Sequence, residues 1–227
     1  HIKNIPIIWT SSASVYGNNP SPFNEDTTKF NAQSPYAISK VLCERTINHY
    51  QKVCPEAKVI TLRPFNVYGL NESHKNNMAS MVYQIINKFK NNEQIELFKY
   101  GEQTRDFIYV DDLVDLILKA ADYPTSEIFN GGTGISRSFN EIVEICSKLF
   151  NKRQSLFYID NPHKHFQNAT LADVNKVNKL LNWGAQITLE EGIKTNPGLF
   201  DFGLVGAITK ESEEASRIKH DTPIMIV

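Results

Sequence analysis

Cysteine is scarce in this chain of 227 residues: Cys43, Cys54 and Cys146 form no C-x-x-C pair and no other metal-ligand spacing. An odd, scattered set argues against a closed disulfide framework, and a reducing cytoplasm is its simplest home. Long apolar runs are missing as well. No stretch approaches the roughly 20 residues that cross a bilayer, and no basic n-region followed by an apolar h-region opens the chain. Neither a membrane span nor secretion is expected. Charge of one sign is not in excess, since 24 Lys and Arg against 25 Asp and Glu leave a formal net charge of -1. Nucleic acid and anionic membranes are therefore not expected partners, and an anionic ligand must be met by a local cluster of donors. The chain contains no fixed-period repeat, no low-complexity tract and no G-x-x-G-x-x-G turn. His74, His163 and His165 have no carboxylate or cysteine at ligand spacing, so no metal site is expected.

What is present is an alternation of short β-type runs and longer amphipathic ones. Pro6-Ile7-Ile8-Trp9-Thr10-Ser11-Ser12 reads as a buried strand entering a Ser-rich turn, and further strands are expected at 59–64, 107–110, 128–130 and 156–159. Helices are predicted over 36–53, 78–91, 111–121, 139–150 and 173–181. That order implies an α/β sheet with helices on its faces. Asp111 or Asp112 is expected to cap the third helix, and Ser138 with Glu141 forms a capping box for the fourth. Gly131-Gly132-Thr133-Gly134 lacks the Lys-Ser/Thr of a phosphate loop and reads as a turn from a strand toward the Phe139 helix. A closing helix begins at Thr188-Leu189-Glu190-Glu191, and the pattern falters after about Lys194 at Asn196-Pro197-Gly198.

The most informative pair is Tyr36 and Lys40 in Ser34-Pro35-Tyr36-Ala37-Ile38-Ser39-Lys40. Four residues apart on a helix, the two side chains share one face. A free tyrosine titrates near about 10, and a fixed positive charge beside it favours phenolate, which suits removal of a proton from a sugar hydroxyl. The spacing alone also fits an ordinary surface pair. Upstream, Ser11-Ser12-Ala13-Ser14-Val15-Tyr16-Gly17 puts a serine at a strand end, where parallel sheets bind ligands. Arg63-Pro64-Phe65-Asn66-Val67-Tyr68-Gly69 follows the next strand, and Arg105-Asp106-Phe107-Ile108-Tyr109-Val110-Asp111-Asp112 comes later.

These four segments, in this order, resemble the extended short-chain dehydrogenase/reductases that act on nucleotide sugars, over about residues 6 to 194. The resemblance implies the C-terminal part of a Rossmann-like doubly wound sheet with a small α/β substrate-binding lobe. It divides the chain into 1–70 with about 105–135 for the dinucleotide, 71–104 and 136–196 for substrate, and a tail, 197–227, foreign to the pattern and expected to pack loosely. It implies Ser12, Tyr36 and Lys40 as a catalytic triad. Ser11, Tyr36, Lys40 and Val67 would lie against the cofactor, and Ser12, Asn66, Phe98 and Arg105 against the substrate. The cofactor implied is NADP, or NAD in its place, and the enzyme would be a homo-oligomer. The family carries a G-x-x-G-x-x-G turn ahead of these segments, so this chain by itself is expected to bind cofactor weakly or not at all and to be inactive alone.

Ala13 and Ser14 follow Ser12 where dehydratases of the group carry acids, which disfavours elimination of water. Leu70-Asn71-Glu72-Ser73-His74-Lys75-Asn76-Asn77-Met78-Ala79-Ser80 is similar to the corresponding loop of the ADP-glyceromanno-heptose 6-epimerases. There the His-Lys loop supplies a second base, which implies Lys75 as catalytic. A ketone that turns its opposite face to the cofactor moves its oxygen to a new place and needs a second proton donor. Three substrate positions depart from the pattern: Asn77 stands for a serine, Gln84 for a histidine and Phe166 for a tyrosine. The expected function is epimerization of a nucleotide sugar, ADP-heptose at C6, by oxidation to a ketone and re-reduction. A UDP-hexose 4-epimerase and a non-catalytic sugar-nucleotide module remain the alternatives.

Overall fold

A computed structural model of the chain describes residues 6–161, 167–195 and 225–226. Strand β1 (Ile7–Thr10) pairs in parallel with β2 (Val59–Pro64), Ile8 opposite Ile60. Further along the chain, β6 (Glu127–Gly131) pairs in parallel with β2 on its other side. Five of the six residues of β2 are buried, as expected for a strand covered on both faces. Its alternation assigns the faces. Ile60 and Leu62 point into one core with Ile8, Leu116, Phe129 and Trp183, whereas Arg63 points to the opposite side. Each fully buried aliphatic of that core contributes about 1.5–3 kcal/mol. Helix α1 (Pro35–Val53) packs on the Arg63 face, and α3 (Val110–Ala121) and α5 (Asn175–Leu181) pack on the other. The α/β architecture read from the sequence is thus present, with helices on both faces of a parallel sheet.

A second core lies beside the first. Helix α2 (Met81–Asn91) packs on α4 (Phe139–Leu149), with Phe89 stacked on Phe150 at 5.4 Å between ring centroids. Strand β4 (Ile95–Phe98) pairs in parallel with β8 (Leu156–Ile159). The two cores are joined by β3 (Asn66–Tyr68) and β5 (Thr104–Tyr109), which pair in parallel, and by β7 (Ser136–Ser138), antiparallel to β5. Along β5, Ile108 faces the sheet core while Phe107 and Tyr109 face the lobe core. Helix α6 (Leu189–Thr195) closes the lobe through Leu189 and Ile193.

Several boundaries differ from expectation, each for a local reason. Helix α3 starts one residue early, with Tyr109 as its cap residue, so Asp111 and Asp112 sit inside the first turn and neither caps it. There they favour the helix dipole, and the Asp112 carboxylate accepts from Gln186 N at 3.0 Å and Ile187 N at 2.9 Å. Helix α2 begins at Met81 because the Ser80 hydroxyl accepts from Tyr83 N, leaving residues 73–78 as a separate kinked 3-10 turn. Asp173 precedes α5 and accepts from Asn175 N at 3.0 Å. Strands β3 and β7, three residues each, are too short to announce themselves in the sequence, and β4 is a strand that the sequence pattern did not predict. The Ser138–Glu141 capping box is present. Of the tail, Met225–Ile226 forms β9, parallel to Ile7–Ile8. The rest of 197–227 and Phe166, with the expectations attached to them, lie outside the described residues.

Candidate active site

The strand-end serines follow directly from β1. Ser11 N donates to Leu62 O at 2.7 Å, extending the sheet by one residue, and the Ser12 hydroxyl accepts from Ser14 N at 3.1 Å to start a 3-10 turn, Ala13–Tyr16. Gly17 ends that turn at φ 57°, where a Cβ would lie 1.7 Å from Asn31 O, so this position requires glycine. Across from the turn, Ser34 caps α1 by accepting from Ala37 N, with Pro35 in the first helical position.

Tyr36, Lys40 and Glu44 share one face of α1. The Lys40 ammonium donates to Thr10 O at 2.8 Å, lies 4.6 Å from the Trp9 ring and 5.8 Å from the Tyr36 ring. It therefore links the helix to the strand end two residues before Ser12. Tyr36 itself is 56% exposed. Beneath the pair runs a buried polar network that the sequence reading did not single out. Glu44, 1% exposed, accepts a fork from Arg63, Nε to Oε1 at 3.0 Å and Nη2 to Oε2 at 2.6 Å. The Ser11 hydroxyl donates to Glu44 Oε1 at 2.5 Å, so Ser11, expected beside the cofactor, is committed to this network and 5% exposed. Arg63 Nη1 donates to the Tyr16 hydroxyl at 2.9 Å, which in turn donates to Asn130 Oδ1 at 2.7 Å. Burial alone works against the Arg63 charge, but the bonds to Glu44 and Tyr16 hold it above its ordinary range. Burial also pushes the Tyr16 phenol well up. The sequence did contain a signal for Glu44: a carboxylate four residues beyond Lys40, on the helix stripe that packs on the sheet.

A cleft of about 390 Å³ opens where β3, β5 and the 69–80 loop meet. Asn66, Val67, Lys75 and Arg105, expected at the site from separate segments, all line it. Asn66 Oδ1 accepts from the Thr170 hydroxyl at 3.2 Å. Arg105 is 7% exposed, donates to Thr104 O at 2.8 Å and lies 5.7 Å from the Phe139 ring; burial pulls it down to about 10. Lys75 is 45% exposed, its ammonium 3.7 Å from Glu72 Oε2. Asn77, Gln84 and Phe98 line a neighbouring cavity of about 420 Å³ that shares Met81 and Phe139 with the first. Gln84 Nε2 donates to Ala79 O at 2.8 Å and to Asn77 O at 3.3 Å, bracing the loop.

Two more buried carboxylates shape the cleft. Asp106, fully buried, accepts from Thr133 N and Oγ1, Gly134 N and Ala172 N. It gathers the Gly-rich turn and the 170–172 segment behind Arg105, although burial pushes its carboxyl up. At Gly132 a Cβ would meet the Ala172 Cβ at 2.6 Å and Asp106 Oδ2 at 2.9 Å, so that turn serves close packing. Glu72, 3% exposed, is the second, and it had no signal in the sequence beyond an acid in a polar loop. Among the described residues no group of three His, Cys, Asp or Glu could hold a metal ion, and no helix is long and apolar enough to cross a membrane.

Comparison with known proteins bears on the family and the fold. Residues 1–132 match the NAD dependent epimerase/dehydratase family. ADP-L-glycero-D-manno-heptose-6-epimerase of Brachyspira hyodysenteriae is 37% identical over 181 residues, 77% of this chain and 57% of that protein. The crystal structure of the Helicobacter pylori ADP-L-glycero-D-manno-heptose-6-epimerase superposes with a TM-score of 0.77 at 31% identity, covering 86% of this chain and 60% of that one. UDP-glucose 4-epimerase from Thermotoga maritima, solved with UDP-glucose, gives a TM-score of 0.79 at 28% identity over 86% of this chain and 63% of that one. The chain thus spans 57% of the length of the curated relative it matches. On the strength of the family match across more than half its length, the chain belongs to the NAD dependent epimerase/dehydratase family.

Proposed function

We propose that this chain carries the acid/base residues and the substrate cleft of an epimerase acting at C6 of an ADP-linked heptose. The observation that carries the reading is the convergence of Lys75, Arg105, Asn66 and Val67, from three separate segments, on one cleft of about 390 Å³. Arg105 holds the diphosphate by charge-assisted hydrogen bonds from a preorganised, largely desolvated guanidinium. Tyr36 removes the proton of the reacting hydroxyl as its carbon is oxidised, and Ser12 holds that oxygen. Lys75 delivers the proton for the opposite epimer, whose oxygen lies in a different place.

The residues fit the nicotinamide-ribose end of a dinucleotide: a lysine fixed at 2.8 Å on Thr10 O beside an exposed tyrosine is a donor set for ribose hydroxyls. When bound, the nicotinamide supplies the hydride acceptor and donor of the reaction. The 227 residues contain no G-x-x-G-x-x-G turn for its pyrophosphate. We propose NADP as the dinucleotide, with NAD as the competitor to be tested beside it.

A UDP-hexose 4-epimerase would use the same Ser12, Tyr36 and Lys40, and the 28% identity to the Thermotoga enzyme favours keeping it as the second reading. Incubation of the chain, completed with a G-x-x-G-x-x-G cofactor segment, with ADP-D-glycero-D-manno-heptose or UDP-galactose, each with NADP or NAD, separates them by product NMR. Interconversion of the heptose epimers and inert UDP-galactose is the expected result. The reverse preference would assign the hexose reading, and ADP-sugar binding without turnover under either cofactor would assign a binding module.

A further inference from the structure

We infer that Glu72 is the positioning residue of Lys75: its buried carboxylate closes the 69–80 loop over the cleft and holds the lysine ammonium at the rim. This rests on the reading of Lys75 as a substrate-facing base. Glu72 is 3% exposed although it sits in a polar loop. Oε1 accepts from Gly69 N at 3.1 Å and from the Ser80 hydroxyl at 2.8 Å, and Oε2 accepts from Ser80 N at 2.7 Å. Gly69 follows the last residue of β3, and Ser80 caps α2, so one side chain ties a strand exit to a helix entry.

Three neutral donors satisfy the oxygens but leave the buried charge uncompensated. Lys75 supplies the countercharge at 3.7 Å, while its own N–H donates to Glu72 O at 3.0 Å. The loop reaches that arrangement through Asn76 at φ 48°, ψ -126°, a backbone conformation L residues rarely adopt unless the surroundings over-determine it. A lysine that merely solvated the surface would need none of this. At 45% exposure the ion pair adds little to stability, so its consequence is positional.

The test is residue-resolved acetylation of the full chain with isotope-coded acetic anhydride, read by mass spectrometry, with and without ADP-D-glycero-D-manno-heptose. Binding of that compound and of ADP is followed separately by calorimetry. In the wild-type chain the heptose compound is expected to slow acetylation of Lys75 about tenfold and ADP to leave it unchanged, the size of one charge-assisted contact. In Glu72→Gln the protection falls to about twofold or less, while ADP binds within about threefold of wild type. Glu72→Asp, which keeps the charge on a shorter arm, restores part of the protection and carries the test if the Gln variant does not fold. Undiminished protection in these variants overturns the inference. Loss of ADP binding in parallel with protection also overturns it, because that marks a merely structural residue. Heptose binding with no protection of wild-type Lys75 overturns the base reading beneath it, and no binding at all overturns the proposed substrate.

Discussion

The strand-end region under α1 and the 69–80 loop solve one problem with opposite materials. Under α1, Glu44 is bonded to a guanidinium, and both partners are at most 2% exposed. In the loop, Glu72 is equally buried but bonded to backbone N–H groups and a hydroxyl, with its lysine 45% exposed. In each case the group proposed for chemistry, Tyr36 or Lys75, stands in solvent, and a buried carboxylate nearby fixes the backbone that carries it. The difference is that the first carboxylate is locked by a rigid fork between secondary-structure elements, and the second by a loop that it also has to fold.

Four substitutions test this contrast, from the largest effect to the smallest. Glu44→Ala strands Arg63 as a buried, unpaired charge and is expected to cost about 3–5 kcal/mol in urea unfolding. Glu72→Ala leaves three neutral donors unpaired, with no buried charge stranded, and is expected to cost about 1–3 kcal/mol; equal costs would erase the distinction. Asp173 lies outside both regions and serves as a reference: a side-chain bond from Asn24 at 2.9 Å holds its carboxyl below the ordinary range. Its contribution is present above the unfolded carboxyl range and is lost as pH falls through the folded one. Asp173→Asn is therefore expected to cost about 1 kcal/mol at pH 7, with the gap from wild type closing below about pH 4. Tyr36→Phe removes an exposed hydroxyl, so stability stays within about 0.5 kcal/mol, while turnover of the enzyme completed with its cofactor segment falls about 100-fold or more in the proposed reaction. A large stability loss there would mean that the phenol belongs to the buried network instead.

Legibility in the sequence followed the range of the forces involved. Ser138 with Glu141 marked a helix start because a cap acts within one turn. Tyr36 and Lys40 were legible for the same reason, since helical spacing alone brings them to one face. Asp111 and Asp112 misled: Asp112 accepts from residues 186 and 187, a long-range bond that no local pattern encodes. Glu44 stood on a readable stripe but looked like any surface acid until Arg63, Ser11 and Tyr16 were brought around it.

The amino-acid sequence by itself determined the helices, the buried strands and the identity of the polar side chains, because hydrophobic period and capping chemistry operate between neighbours. Tertiary structure decided which carboxylates lie buried, that β5 serves two cores on alternate residues, and that Asn66, Lys75 and Arg105 share one cleft. Those outcomes depend on desolvation and on partners far apart in the chain, quantities that exist only once the elements have packed.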